Sequence, residues 1–402
     1  MSSAQKPGDA PENSGTRLEA TASGHSQVIQ AAGNLHFLNV SMSRGVRNAV
    51  FITMALAVLI GGGWVGWKWV RPMFAPAYKT QFLIDATAAA GGPEAIAASL
   101  SKAVGNAGED DVLSLRAFGG QCGTDDATTQ LVGFGTGNRQ QITHAATKVS
   151  PTGEATLLRG IVEAVNDFSK TLAWGADQRA TQVNRIIVVT RHGADACDDD
   201  SSFVQREIQE RIKAAGLKVD FKVVGYQVPH AQRTRLEQIA AGVQAGDPVF
   251  ADDPAKLNAA LEWLTNTQPV LREAKQVIDV LNPAVSQVEA ARTAIDEGRF
   301  DSAERHLDRA GSVNVTGPLD GLESRAKTAQ ARDTYVKARQ LRAQQRRVVA
   351  SGRDLLEAAR AGRSHESELA AYRTAVTTYN ARANALTDAL NTLRAAAPGG
   401  RS

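Results

Sequence analysis

The sequence predicts an α/β fold: a doubly wound, mostly parallel six-stranded sheet over residues 79–266. One transmembrane helix precedes it and an α-helical hairpin or coiled-coil region follows. Three observations carry this. Short apolar runs alternate with helical patterns through 79–266, as crossover units do. Two runs, Ile186–Val189 and Phe221–Val224, are almost continuously apolar, which suits strands covered on both faces. After Thr267 the strand pattern stops and only helical periodicity remains.

A chain of 402 residues is long enough for two or three domains. A net charge of +3 gives no general pull toward nucleic acid, which is not expected as a partner. Aromatic residues are few and alanine is abundant, which favours helices over an all-β core.

Residues 1–46 read as disordered, the first 24 of them rich in Ser, Gly, Pro, Ala and Glu. Two β-prone runs around Gly33-Asn34 allow a short hairpin there. Residues 47–70 are expected to form a transmembrane helix. No charge occurs from Ala49 to Trp67, and Trp64, Trp67 and Trp69 cluster with Lys68 and Arg71 at one end. About 20 apolar residues cross a bilayer, and interfacial aromatics with snorkelling cations mark its boundary. The position, away from the N-terminus, suits a signal anchor better than a cleaved leader. Cations on both sides of the span leave its orientation open.

Pro72–Ala77 reads as a linker. Strands are expected at Gln81–Ile84, Asp111–Phe118, Gln130–Phe134, Arg185–Thr190, Lys218–Val224 and Val249–Ala251. Helices are expected at Pro93–Val104, Leu157–Leu172, Phe203–Ala215, Arg233–Ala241 and Pro254–Thr265. In the C-terminal region, 267–402, a helix reaches about Leu281 and is expected to break at Pro283. A helical pair follows around Gly298-Arg299-Phe300, then long helices over Leu319–Ala361 and Glu366–Ala396. Leu369, Tyr372, Val376, Tyr379, Ala383, Leu386, Leu390 and Leu393 form a seam with alternating spacings of three and four. It suits an antiparallel hairpin folded on itself or a surface for homo-oligomer assembly.

The first run ends in Phe82-Leu83-Ile84-Asp85-Ala86-Thr87, a strand that delivers a carboxylate to the edge where open sheets bind ligands. Together with Ser150–Leu158, Ile186–Cys197, Gly216–Tyr226 and Leu236–Gly242, it resembles a von Willebrand factor type A domain over about Thr80 to Thr265. The resemblance implies a module for protein partners whose site holds a magnesium-like ion through an aspartate, two serines, a threonine and a second aspartate. Asp85 matches the first aspartate, Thr87 the first serine, and Thr156 (or Thr152) the threonine. Ala89 stands where the second serine belongs, and Arg191 and His192 where the second aspartate belongs. A guanidinium repels a dication and supplies donors where acceptors are wanted. The expectation is a degenerate, metal-independent site in which Arg191 pairs with Asp85 as a fixed cation, with no cofactor. Magnesium binding, helped by Asp195 or Asp198–Asp200, is the alternative.

The resemblance also implies that Cys122 and Cys197 pair in loops at the carboxyl edge of the sheet. A disulfide persists in oxidising compartments, which would put residues 79 onward outside the cytoplasm. No nucleophile elbow, zinc-binding His-Glu-x-x-His, P-loop or dinucleotide fingerprint occurs, so the chain is not expected to be an enzyme. The expected function is that of a membrane-anchored binding or adaptor protein. The alternative is an envelope-associated oligomer in which the C-terminal helices carry the interaction.

Overall fold

The computed structural model describes residues 78–87, 93–151, 153–170, 182–197, 206, 208–210 and 218–398. The segment 1–46 with its hairpin, the membrane helix at 47–70, the linker Pro72–Ala77, Ala89, Thr152, Asp198–Asp200 and most of the helix expected at 203–215 lie outside them. Among the described residues, no helix is long and apolar enough to cross a membrane.

The first part of the chain alternates strands and helices: β1 (Tyr78–Asp85), α1 (Pro93–Asn106), β2 (Val112–Phe118), β3 (Thr128–Gly135), α2 (Arg139–Thr147), α3 (Leu157–Lys170), β4 (Val183–Thr190), β5 (Val219–Tyr226), α4 (His230–Gly242), β6 (Val249–Ala251) and α5 (Pro254–Glu262). The six strands lie in the order β3-β2-β1-β4-β5-β6, all parallel except β3, which runs antiparallel to β2.

β1 sits centrally and is buried along its whole length. Side chains alternate across a strand, so Phe82 and Ile84 pack with Ile187, Val189 and Ile96 on one face. Leu83 packs with Ile186, Val188, Leu157 and Phe221 on the other. Two apolar layers on one sheet explain why β4 and β5 read as continuous hydrophobic runs. Polar groups also enter this interior. Arg116 of β2 grips Asp167 of α3 through Nε to Oδ2 (2.8 Å) and Nη2 to Oδ1 (3.0 Å), and Gln81 Nε2 donates to the same Oδ2 (2.8 Å).

A π-helical turn, Trp263–Thr267, carries α5 into α6 (Gln268–Asp296); α7 (Phe300–Gly311), α8 (Thr316–Ser324), α9 (Ala329–Arg360) and α10 (Glu366–Ala395) follow. Two expectations need correction. Pro283 does not interrupt α6. It lies on the exposed side, while Leu281, Ala284, Val285 and Val288 are buried, so packing outweighs the roughly 3 kcal/mol that an interior proline costs. The helix expected over Leu319–Ala361 is two helices. The chain turns at Arg325, and Thr328 caps α9 by accepting the Ala331 N–H (3.2 Å).

The expected seam is used within the chain. Tyr372, Tyr379, Leu386, Leu390 and Leu393 are buried in one core with Leu341, Val348 and Leu355 of α9. Tyr372 and Tyr379 also donate hydroxyl bonds to Glu289 Oε2 (2.6 Å) and Asn282 Oδ1 (2.8 Å) of α6.

The helical region meets the α/β region through a buried ionic cluster. The Arg325 guanidinium donates to both oxygens of Asp111 (2.9 and 2.6 Å) and, through Nε, to Glu273 Oε1 (3.1 Å). It also lies over the ring of Tyr78, 4.6 Å from its centroid. Burial pushes the Glu273 carboxyl up to about 7, against the pull of Arg325.

Candidate binding site at the carboxyl edge of the sheet

β1 and β4 run in register, Ile84 beside Val189, so both end at the same edge and bring Asp85, Thr87, Thr190, Arg191 and His192 together. β2 ends beside them, with Phe118 opposite Asp85. Gly119 then turns with φ +126°; a Cβ there would stand 2.9 Å from the Ala86 carbonyl carbon and the Thr87 nitrogen. Only glycine permits both that φ and that approach.

The Asp85 carboxylate is buried and saturated. Oδ1 accepts the Thr87 N–H (2.9 Å) and the Thr87 hydroxyl (2.6 Å). Oδ2 accepts the Arg191 N–H (2.7 Å) and lies 3.0 Å from His192 Nδ1. Burial alone would raise this carboxyl. The bonds from His192, Thr87 and the Arg191 backbone outweigh it and hold the carboxyl below its ordinary value. An ionised carboxylate only accepts, so His192 carries its proton on Nδ1. Thr190 locks the turn: its hydroxyl donates to the His192 carbonyl (2.8 Å) and accepts the His192 N–H (3.0 Å).

The geometry differs from the expected pairing of Arg191 with Asp85. It is the backbone N–H of Arg191 that meets the carboxylate, while its guanidinium Nη2 donates to the Thr87 carbonyl (2.6 Å). The basic side chain touching Asp85 is that of His192, the next residue. The backbone of a turn sets which of two consecutive basic side chains reaches the carboxylate, and residue identity does not reveal it.

Thr156 is also nearby but otherwise engaged. Its hydroxyl donates to the Ala127 carbonyl (2.5 Å) and accepts the Gly119 N–H (3.0 Å), which fastens the loop after β2 to the start of α3. Asp195 serves the rim: Oδ2 accepts the Leu158 N–H at the head of α3 (2.7 Å) and Oδ1 the Cys197 N–H (2.8 Å). A carboxylate at a helix N-terminus is well placed against the orphan N–H groups and the helix dipole. Cys122 and Cys197 form a disulfide, with Cα atoms 5.2 Å apart, that joins the loop after β2 to the loop after β4. Glu154 N donates to the Gly120 carbonyl (2.8 Å) and Ala196 N to the Ala155 carbonyl (2.7 Å), so three loops are stitched into one rim.

These residues do not fit a divalent ion. A hard cation wants free oxygen lone pairs. Asp85 offers four lone-pair sites and four donors already face them. The Thr156 hydroxyl already accepts the Gly119 N–H and donates to the Ala127 carbonyl, and two basic residues follow Thr190.

No family model matches the chain, and no curated protein matches it. Among solved structures it is similar to the vWF domain of the type V pili tip protein Mfa5 from Porphyromonas gingivalis, at 11% identity, 48% of this chain, 94% of that chain and TM-score 0.35. It is similar to a von Willebrand factor type A protein from Catenulispora acidiphila at 14% identity, 47% of this chain, 42% of that chain and TM-score 0.35. It is similar to the manganese-loaded TRAP protein of Plasmodium vivax at 17% identity, 42% of this chain, 64% of that chain and TM-score 0.30. In the latter two the similarity spans less than two thirds of the matched chain.

Proposed function

We propose that the chain is a membrane-anchored, non-enzymatic binding protein whose type A-like domain presents a metal-independent face to a protein partner. The carrying observation is the carboxylate of Asp85 with all four acceptor sites filled from within the chain. In place of an ion, the rim offers a histidine ring that is part-exposed and fixed by Asp85. The expected resemblance to type A domains supports a role in protein contacts. The disulfide supports an oxidising compartment, and so an extracytoplasmic rim, with residues 47–70 as the anchor.

Thermal unfolding of the full-length protein with and without magnesium or manganese tests the central point. The midpoint should not move with either ion. A rise of several degrees in the parent that disappears in Asp85→Ala would show a working metal site and overturn the reading. Thiol labelling of the unreduced protein should find no reactive cysteine; two labelled thiols would remove the argument for the compartment.

A further inference from the structure

The α9–α10 hairpin carries charge that its ion pairs leave unbalanced. From Thr334 to Arg353 and from Leu369 to Thr387 there is no Asp or Glu, while the two stretches hold eight Lys and Arg. They lie side by side, since Gln344 Nε2 of one donates to the Ala375 carbonyl of the other (2.9 Å). On α9, Arg332, Arg339, Arg346, Arg353 and Arg360 recur at every seventh residue, and all five are exposed. Seven residues are nearly two helical turns, so these form one row about 42 Å long at 1.5 Å per residue.

One end of the row is neutralised. Arg353 meets Asp308 (3.2 Å), and Arg360 meets Asp301 (3.5 Å) and Glu304 (2.9 Å), all on α7. The middle is not. Arg339 lies over the ring of its neighbour Tyr335, and Arg342 is held by Gln345 and the Val313 carbonyl. Neither Arg346 nor Arg347 has an ion pair among the described residues. Exposed positions beside these cations include small apolar ones, Val336, 47% exposed, with Ala343 and Ala350, and one neutral polar one, Gln340.

We propose that this face docks on a bilayer surface of acidic phospholipid headgroups. Guanidinium groups bind phosphate oxygens bidentately, and the short apolar side chains between them suit a shallow interfacial contact better than a nucleic-acid groove. Chain geometry points the same way. The charge-free run Ala49–Trp67 ends shortly before Tyr78, and the Tyr78 ring packs on Arg325, four residues ahead of the first residue of α9. The hairpin therefore starts where the chain arrives from that run, and a tether raises the local concentration of the surface. This last step rests on reading 47–70 as the anchor.

The test uses the full-length protein with Ala343→Cys carrying a fluorescent label, the two native cysteines being paired. It is reconstituted with vesicles of phosphatidylcholine alone or mixed with phosphatidylglycerol, both containing a headgroup quencher. Quenching should be stronger on the acidic vesicles and fall with salt. In Arg339→Gln/Arg346→Gln/Arg347→Gln, the docking equilibrium should weaken about 100-fold, from roughly fivefold per arginine near an acidic surface. Equal quenching on both lipids, or an unchanged triple variant, overturns the proposal. Salt-dependent binding of duplex DNA without acidic-lipid quenching overturns it in favour of nucleic acid. Carbonate-resistant flotation with neutral vesicles reports the anchor separately. Its absence, together with salt-sensitive flotation on acidic vesicles, would sink the anchor and leave the docking face standing.

Discussion

Arg325→Met removes the only guanidinium between two buried carboxylates, Asp111 and Glu273, among the described residues, while keeping an apolar stem against Tyr78. Removing one partner of a buried pair costs about 3–5 kcal/mol, because the charge left behind is unpaired. Here Asp111 would be left unpaired, with Glu273 beside it. The loss must depend on pH. Burial holds the Glu273 carboxyl at about 7 instead of 4.5. Between those values the folded chain keeps a proton that the unfolded chain has released. This contribution to stability is therefore fully present below pH 4.5 and is lost as pH rises through 7. Moving from 4.5 to about 7 corresponds to about 3 kcal/mol at roughly 1.4 kcal/mol per pH unit. Without Arg325 the carboxyl loses what pulls it down, so the penalty in the variant should be larger at pH 8 than at pH 5. Urea unfolding at both pH values measures this. The companion Glu273→Gln should flatten the fall in stability between pH 5 and 7. A loss below about 1 kcal/mol in Arg325→Met at both pH values, the size expected of exposed pairs, would refute the claim that the cluster clamps the two regions.

Other expectations concern the rim. Replacing Cys122 and Cys197 together by serine opens a loop of 75 residues in sequence separation. It should cost about 4 kcal/mol on the chain-entropy account, read as a lowered urea midpoint without change in helix content. Gly119→Ala should lose roughly 1–3 kcal/mol, since alanine is strained at φ +126° and its Cβ meets the Ala86–Thr87 backbone; a neutral result in thermal unfolding would show that the turn can relax.

Much of this was legible in residue order. An apolar run ending in Asp85 announced a strand delivering a carboxylate to a sheet edge, and the six strands fall where alternation placed them, within a few residues. α2 was not legible. It buries only Ile142 and Ala146, too short a stripe to register as a period. The antiparallel direction of β3 was also hidden, because direction depends on the connection and leaves no mark on the strand. Nothing local marks Gln81, Arg116 and Asp167 as partners, yet Gln81 and Arg116 both donate to Asp167 across 86 and 51 positions of separation. Arg325 read as one cation in a long helix. Its partners lie 52 and 214 residues away, and nothing local distinguishes it from its neighbours.

The two ends of β2 tie these results together. Asp111, gripped by Arg325, immediately precedes the strand; Gly119, against Thr87, immediately follows it, and Cys122 lies three residues beyond. Seven residues of strand span about 23 Å. The strand is fixed at one end by a buried ion cluster and at the other by a covalent link. The rim is thus held at a set distance from the helical region by a sheet element with little freedom to bend. Dividing the chain near Asn266 to ask which half binds a partner would strand Asp111 on one side and Arg325 with Glu273 on the other, breaking the buried Asp111–Arg325 pair. Loss of binding in either fragment would then report misfolding as readily as a missing surface. Point changes at His192 on the rim and at Arg346 and Arg347 on the hairpin leave the clamp untouched, and they are the substitutions that can assign a partner to one surface or the other.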